Sequence, residues 1–147
     1  MAEQDQRLEG MRGTHICVSV PDYEAAKRWW ADTFGFELVA EWPYGDMRHC
    51  AMAPPGFPAV RIEISGDGER WPESRLRPTD LMTSLQGLGF SHFGFDVDDI
   101  DAAASALRDK GVEILVEPFE FGALKRKICF FFDPWGNVFE LVHRPRS

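Results

Sequence analysis

Two histidines and two glutamates are the residues whose types and spacing could do chemistry in this chain. His92 follows His15 by 77 positions, and Glu140 follows Glu63 by the same 77. Each histidine therefore precedes its glutamate by 48 residues. Two imidazoles and two carboxylates form a mixed nitrogen and oxygen donor set suited to a divalent cation, with positions left open for water or substrate. The pattern predicts a metal site with these four ligands and with Ni, Co, Mn, Fe(II) or Zn as candidate ions.

The four residues lie in two halves of the chain that read alike. Residues 14–20 and 91–97 alternate in character as strands do, and each runs into a helix headed by Asp22 or Asp99 and closed by Gly35 or Gly111. Three strand-like segments follow in each half, at 36–42, 47–53 and 59–65, then at 112–117, 126–132 and 138–143. The sequence predicts an α+β fold within one domain: module one at 14–65, a connector at 66–90 with a short helix at 80–86, and module two at 91–144.

Strand alternation places all four candidate ligands on one kind of sheet face. In each of their strands the apolar residues share one face, and His15, Glu63, His92 or Glu140 lies on the other. The apolar faces are predicted to receive the helices, whose own apolar stripes are Ala25, Trp29, Ala102 and Leu107. The ligands then occupy the uncovered face, and they converge if the two sheets curl towards each other. His49 is a further acid/base candidate, because residues 47–53 border this face.

Composition and charge exclude several classes of function. A chain of 147 residues, 44% hydrophobic and 27% charged, suits one soluble globular domain. A net charge of −8 disfavours nucleic acid as a partner. The longest apolar run, residues 128–132, is too short to span a bilayer, and residues 1–13 lack the apolar stretch of a secretory signal. Cys17, Cys50 and Cys129 lack metal-type spacing and predict buried thiols in a reducing cytoplasm.

The doubled β-α-β-β-β order resembles the vicinal-oxygen-chelate superfamily, with its glyoxalase, epimerase, extradiol dioxygenase and drug-resistance branches. The resemblance extends over about residues 14–144. It rests on His15 before Pro21-Asp22 and a helix, on Arg61-Ile62-Glu63-Ile64, on Ser91-His92-Phe93-Gly94-Phe95-Asp96-Val97-Asp98-Asp99-Ile100, and on the closing Asp133-Pro134-Trp135-Gly136-Asn137-Val138-Phe139-Glu140-Leu141. It implies the glyoxalase/bleomycin-resistance/dioxygenase fold of curled mixed β-sheets. It also implies His15 and His92 as imidazole ligands, Glu140 as the closing carboxylate and Glu63 as its counterpart.

Glu63 favours the isomerase and lyase branch of that superfamily. A small substrate with adjacent oxygens would chelate the metal, and Glu140 or Glu63 would move a proton through an enediolate. Bacterial glyoxalase I typically has an arginine and an asparagine that contact glutathione where Ser19 and Asp67 stand here, so glutathione dependence is not expected. The resemblance also implies a homodimer, and the site can form within one chain or across the dimer, since both arrangements occur in such proteins.

Two other functions stay open at this stage. An extradiol dioxygenase of the superfamily would use two histidines and one carboxylate around Fe(II) to cleave a catechol with O₂. A metal-free drug-binding member would instead stack a flat cationic ligand on tryptophans, here Trp42, Trp71 and Trp135. The alternative for Glu63 is a surface ion pair with Arg61.

Overall fold

The computed structural model describes residues 13–69, 76–122 and 125–144. Residues 1–12, and residues 70–75 of the connector with Trp71, lie outside the described residues. The elements are β1 (His15–Val20), α1 (Tyr23–Phe34), β2 (Glu37–Tyr44), β3 (Met47–Ala53), β4 (Arg61–Gly66), α2 (Leu81–Gln86), β5 (His92–Val97), α3 (Ile100–Asp109), β6 (Ile114–Phe121), β7 (Arg126–Phe132) and β8 (Val138–His143). The predicted β-α-β-β-β order is confirmed in both halves.

The strands form two four-stranded mixed sheets, ordered β1-β4-β3-β2 and β5-β8-β7-β6. In the two sheets β1 pairs with β4 and β5 pairs with β8 in parallel, and the other strand pairs are antiparallel. The two parallel ladders share one register, because Cys17 lies opposite Glu63 and Gly94 lies opposite Glu140. The 77-residue spacing therefore joins structurally equivalent positions. The chain divides into two compact units at residue 70.

Aspartate caps start the two long helices as predicted. Asp22 accepts the Ala25 N–H at 2.9 Å, and Asp99 accepts the Ala102 N–H at 3.0 Å. Gly35 ends α1 with a left-handed φ of 69°. These local signals position each helix directly after the strand that carries a candidate histidine.

The helix stripes differ from the predicted ones. The residues buried against the sheets are Tyr23, Ala26 and Trp30 in α1 and Ile100, Ala104 and Leu107 in α3. Of the predicted stripe only Leu107 is fully buried, and Ala102 is exposed. The caps fix where each helix begins but not its rotation against the sheet, and the first residue after each cap, Tyr23 or Ile100, is buried.

Exposure follows strand alternation more closely than residue type. Cys50 and Cys129 are buried, but Cys17 is exposed on β1, so the prediction of buried thiols is wrong for that residue. Cys17 alternates with buried Val18 and shares the uncovered face with His15. Within the described residues, no helix is long and apolar enough to cross a membrane.

Candidate metal centre

Each unit brings one histidine to one glutamate. His15 Nε2 lies 3.4 Å from Glu63 Oε2, and His92 Nε2 lies 3.4 Å from Glu140 Oε2. In both units the two residues stand on neighbouring parallel strands, on the face opposite the helix. Among the described residues Glu63 faces the His15 imidazole and forms no ion pair with Arg61, whose Nε donates to the Pro58 carbonyl. The surface-pair alternative for Glu63 is therefore wrong.

The separation within each pair fits two ligands of one metal ion. A distance of 3.4 Å is longer than an ordinary N–H···O hydrogen bond. Two donors that are each about 2.1 Å from the same ion stand about 3.0–3.4 Å apart at octahedral or tetrahedral angles. An imidazole nitrogen and a carboxylate oxygen are also ligands that Zn and its transition-metal neighbours accept. The residues of both pairs thus fit a divalent cation.

A hydroxyl group contacts the far nitrogen of each histidine. Thr14 Oγ1 lies 2.8 Å from His15 Nδ1, and Ser91 Oγ lies 3.0 Å from His92 Nδ1. These contacts engage Nδ1 and leave Nε2 facing the glutamate, as outer-sphere partners of metal-bound histidines do. Sequence reasoning missed both hydroxyls. The signal was available, since Ser91 also follows Thr14 by 77 positions.

The second pair is the more enclosed of the two. The His15 side chain is 44% exposed, against 24% for His92 and 15% for Glu140. The Phe130 ring meets the His92 ring edge-on at 5.0 Å, and Phe130 lies opposite Glu140 in the sheet. On the other side of Glu140 stands Gly94, which leaves room for the carboxylate. The His92–Glu140 pair thus lies beside apolar surroundings, where charge interactions are stronger.

Within the part of the chain that the structure describes, no three His, Cys, Asp or Glu side chains gather at one point. The four predicted ligands therefore come together as two pairs, one in each unit. That one ion unites the two pairs stays a prediction.

Comparison with known proteins identifies the family. Residues 12–141 match the sequence model of the Glyoxalase/Bleomycin resistance protein/Dioxygenase superfamily. The chain belongs to this superfamily. The match includes all four residues of the two pairs, and it confirms the resemblance carried by the sequence motifs.

Individual known proteins resemble the chain over different lengths. The uncharacterized protein YwkD of Bacillus subtilis is 28% identical over 123 residues, which cover 82% of this chain and 87% of that protein. A probable chloroplastic lactoylglutathione lyase of Arabidopsis thaliana is 40% identical over 58 residues, or 40% of this chain and 17% of the relative. The crystal structure of a glyoxalase family protein from Enterococcus faecalis superposes with a TM-score of 0.72 at 23% identity, covering 91% of this chain and 98% of the other. The last likeness confirms the predicted fold.

His49 lies on the same sheet face as Glu63, but it belongs to neither pair. It lies opposite Ser65 of β4, which is two residues along that strand from Glu63. Its ring stacks on Trp42 with centroids 5.8 Å apart, and its buried Nδ1 has no hydrogen-bond partner among the described residues. His49 therefore occupies the predicted face of this superfamily member, and its acid/base role stays a prediction.

Behind His49 a cleft of about 280 Å³ opens in the first unit, lined by Tyr23, Glu41, Trp42, Pro43, Arg48 and His49. Its polar groups already bind one another. The Tyr23 hydroxyl donates to Glu41. The pKa of Tyr23 is raised, mainly by burial and to a smaller extent by this hydrogen bond. The pKa of Glu41 is lowered, mainly by the hydrogen bond from Lys27 and to a smaller extent by that from Tyr23. The cleft is thus lined by residues of α1, β2 and β3. Neither His15 nor Glu63 is among these lining residues.

Asp67 has a structural role at the position where bacterial glyoxalase I has its asparagine. Asp67 Oδ1 accepts the Tyr23 N–H at 3.1 Å, and Oδ2 accepts the Arg48 Nε–H at 2.7 Å. Both carboxylate oxygens therefore fasten the start of α1 to β3.

Proposed function

We propose that this protein is a divalent-metal-dependent enzyme of the lyase or isomerase type that acts on a small molecule with a carbonyl and an adjacent oxygen. His15, Glu63, His92 and Glu140 would together hold one cation, with Ni, Co, Mn, Fe or Zn as candidates. One observation carries the proposal: two histidine–glutamate pairs occupy equivalent register positions, each with Nε2 turned to a carboxylate oxygen at 3.4 Å.

The side chains of the centre divide the work of binding and proton transfer. A bound divalent cation supplies stabilisation of the negative charge that develops on two neighbouring substrate oxygens. The carboxylate of Glu63 or Glu140 takes a proton from the carbon next to the carbonyl and returns it to the neighbouring carbon or to the opposite face. The substrate thus passes through an enediolate. His49, on the same face as Glu63, is the further acid/base group.

Two observations bear on the class of substrate. The similarity over 58 residues to a probable lactoylglutathione lyase supports a lyase-type reaction. Ser19 in place of the glutathione-binding arginine, and Asp67 with both oxygens engaged by Tyr23 and Arg48, argue against a glutathione thioester. We therefore propose a small oxygenated substrate without glutathione.

Metal content tests the shared centre directly. We expect one transition-metal ion per chain by elemental analysis of the purified protein. If all four ligands hold that ion, His15→Ala and His92→Ala each lose it, although the substitutions lie in different units. Two ions per chain, each lost only with its own histidine, would overturn the shared site. A protein without metal whose ligand binding is unaffected by His92→Ala would be a metal-free binding protein instead.

Turnover tests the reaction class. We expect conversion of an α-hydroxy-carbonyl compound without O₂ consumption, and loss of at least about 100-fold in rate in His15→Ala and Glu140→Ala because both remove a ligand. Circular dichroism should show an unchanged fold, and Glu37→Gln, an exposed residue of β2, is the matched control. Retained turnover in both ligand variants would contradict the proposal, and O₂ uptake with Fe(II) and a catechol would assign a dioxygenase.

A further inference from the structure

The hydrogen bonds around His92 decide which of its ring nitrogens carries the proton. The Ser91 hydroxyl donates to the Ser84 carbonyl at 3.2 Å, and the same Oγ lies 3.0 Å from His92 Nδ1. A hydroxyl has one hydrogen to donate, and a carbonyl oxygen has none. Ser91 Oγ must therefore accept the Nδ1–H of His92. The proton is on Nδ1, and Nε2 is left with its lone pair.

This lone pair faces another acceptor. Glu140 Oε2 is 3.4 Å from His92 Nε2, and no hydrogen lies between them in this tautomer. Two electron-rich atoms at this separation repel each other, and the half-buried position strengthens the repulsion. A cation between them would replace that repulsion with two favourable contacts. The arrangement is therefore that of a ligand pair rather than of a histidine–carboxylate hydrogen bond.

Helix α2 of the connector holds the other end of this hydrogen-bond chain. The Ser84 carbonyl is one of the last four carbonyls of α2, which have no partner within the helix. Leu81, one turn earlier, packs on a buried cluster of the second unit formed by Ile128, Phe130, Phe132 and Val138. The carbonyl that receives the Ser91 hydrogen is thus anchored to the core beside the candidate centre.

We infer that Ser91 is a positioning residue that fixes His92 as the Nδ1–H tautomer and so makes Nε2 available to a divalent cation; this inference rests on the proposed metal site. Thr14 precedes His15 in the same way, with Oγ1 2.8 Å from Nδ1. Among the described residues, however, no carbonyl accepts the Thr14 hydroxyl. The complete chain from helix carbonyl to imidazole is therefore a feature of the second unit.

Nitrogen NMR of the metal-free protein tests the tautomer without any metal. Long-range ¹H–¹⁵N spectra, recorded where the imidazoles are neutral, distinguish a protonated Nδ1 from a protonated Nε2. We expect Nδ1–H for His92 in the wild type, a shift towards Nε2–H in Ser91→Ala, and recovery of Nδ1–H in Ser91→Thr. Ser84→Ala is the matched control, because it keeps the carbonyl and removes only a hydroxyl that donates to Leu81.

Titration with Co²⁺ then tests the consequence for binding. We expect Ser91→Ala to weaken Co²⁺ affinity by about 10- to 100-fold, as loss of an outer-sphere partner does, and Ser91→Thr to restore it. Unchanged thermal melting would show that the fold is intact. A wild-type His92 with the proton on Nε2, or unchanged Co²⁺ affinity in Ser91→Ala, would overturn the inference. If the wild type shows the expected tautomer, loses it in Ser91→Ala and yet binds no Co²⁺, the assignment to Ser91 holds while the proposed function fails.

Discussion

At the level of single side chains, Glu140 Oε2 lies close to position 94, which carries no side chain. Gly94 lies opposite Glu140 in the parallel ladder of β5 and β8. A Cβ built at Gly94 would stand 3.2 Å from Glu140 Oε2, a tight contact that the carboxylate would relieve by moving a few tenths of an ångström. Gly94 lies within regular strand β5, so a side chain there would meet the Glu140 carboxylate rather than an unfavourable backbone angle.

We therefore expect Gly94→Ala to push the Glu140 carboxylate aside and to lower Co²⁺ affinity by about 10-fold, since small displacements near a metal are costly. Equilibrium competition with a chromogenic chelator measures the affinity. Cys17→Ala is the matched control, because Cys17 holds the equivalent place opposite Glu63 and already carries a Cβ. If Gly94→Ala binds Co²⁺ as tightly as the wild type, Glu140 is not a ligand in the manner proposed.

The residue types of the centre could be predicted from the sequence, but their hydrogen bonds could not. Alternation along a strand is local, so it correctly placed His15 and Glu63 on the face away from the helix. The partner of Ser91 is Ser84, which lies in the connector and has no counterpart in the repeat. Such a contact depends on where the connector helix packs, and the sequence pattern contains no signal for that.

Among the elements, the equal intervals of 48 residues conceal unequal parts. Ala51 lies opposite Glu63 and precedes it by 12 positions, whereas Phe130 lies opposite Glu140 and precedes it by 10. The segment from His92 to Phe130 is in turn two residues longer than the segment from His15 to Ala51. The histidine-to-glutamate interval thus survives because two length differences cancel. Spacing could therefore match each histidine to its glutamate, but not show that one glutamate neighbours alanine and the other phenylalanine.

The contact between α1 and β2 gives this part of the fold a pH dependence. Lys27 Nζ lies 2.6 Å from Glu41 Oε1, and the Tyr23 hydroxyl donates to the same oxygen. The bond from Lys27, and secondarily that from Tyr23, lower the pKa of Glu41 below its ordinary value of 4.5. A carboxyl whose pKa is lower in the folded chain stabilises the fold above its unfolded pKa, and this stabilisation is lost as the pH falls through the folded pKa.

We accordingly expect Glu41→Gln to reduce the free energy of unfolding at neutral pH, and the difference from wild type to shrink as the pH falls below 4.5. Urea denaturation at about pH 7 and about pH 3.5 measures both values. Glu37→Gln is the control, because Glu37 is on the same strand and forms no ion pair with a described residue. A Glu41→Gln destabilisation of equal size at both pH values would show that the ion pair is not its source.

For the molecule as a whole, the duplication could be predicted because its signals are local: alternating strands, aspartate caps and glycine at helix ends. The structure confirms it down to the shared register of the two parallel ladders. The repeat could not predict which residues of each helix pack against the sheet. The burial of Tyr23, Ala26 and Trp30 in place of the predicted stripe depends on the helix's rotation against its sheet, which no periodicity fixes by itself.

A cation bound by both histidine–glutamate pairs would link the stability of the two units. Ligand that binds only the folded protein stabilises it by about 2.7 kcal/mol at a concentration 100 times its dissociation constant. We expect saturating Co²⁺ to slow amide hydrogen exchange in both parallel ladders, β1–β4 and β5–β8. His92→Ala, a change in the second unit, should then abolish the Co²⁺-induced protection of β1 and β4 as well. Protection confined to one unit, or protection of β1 and β4 that persists in His92→Ala, would show that the cation belongs to a single pair.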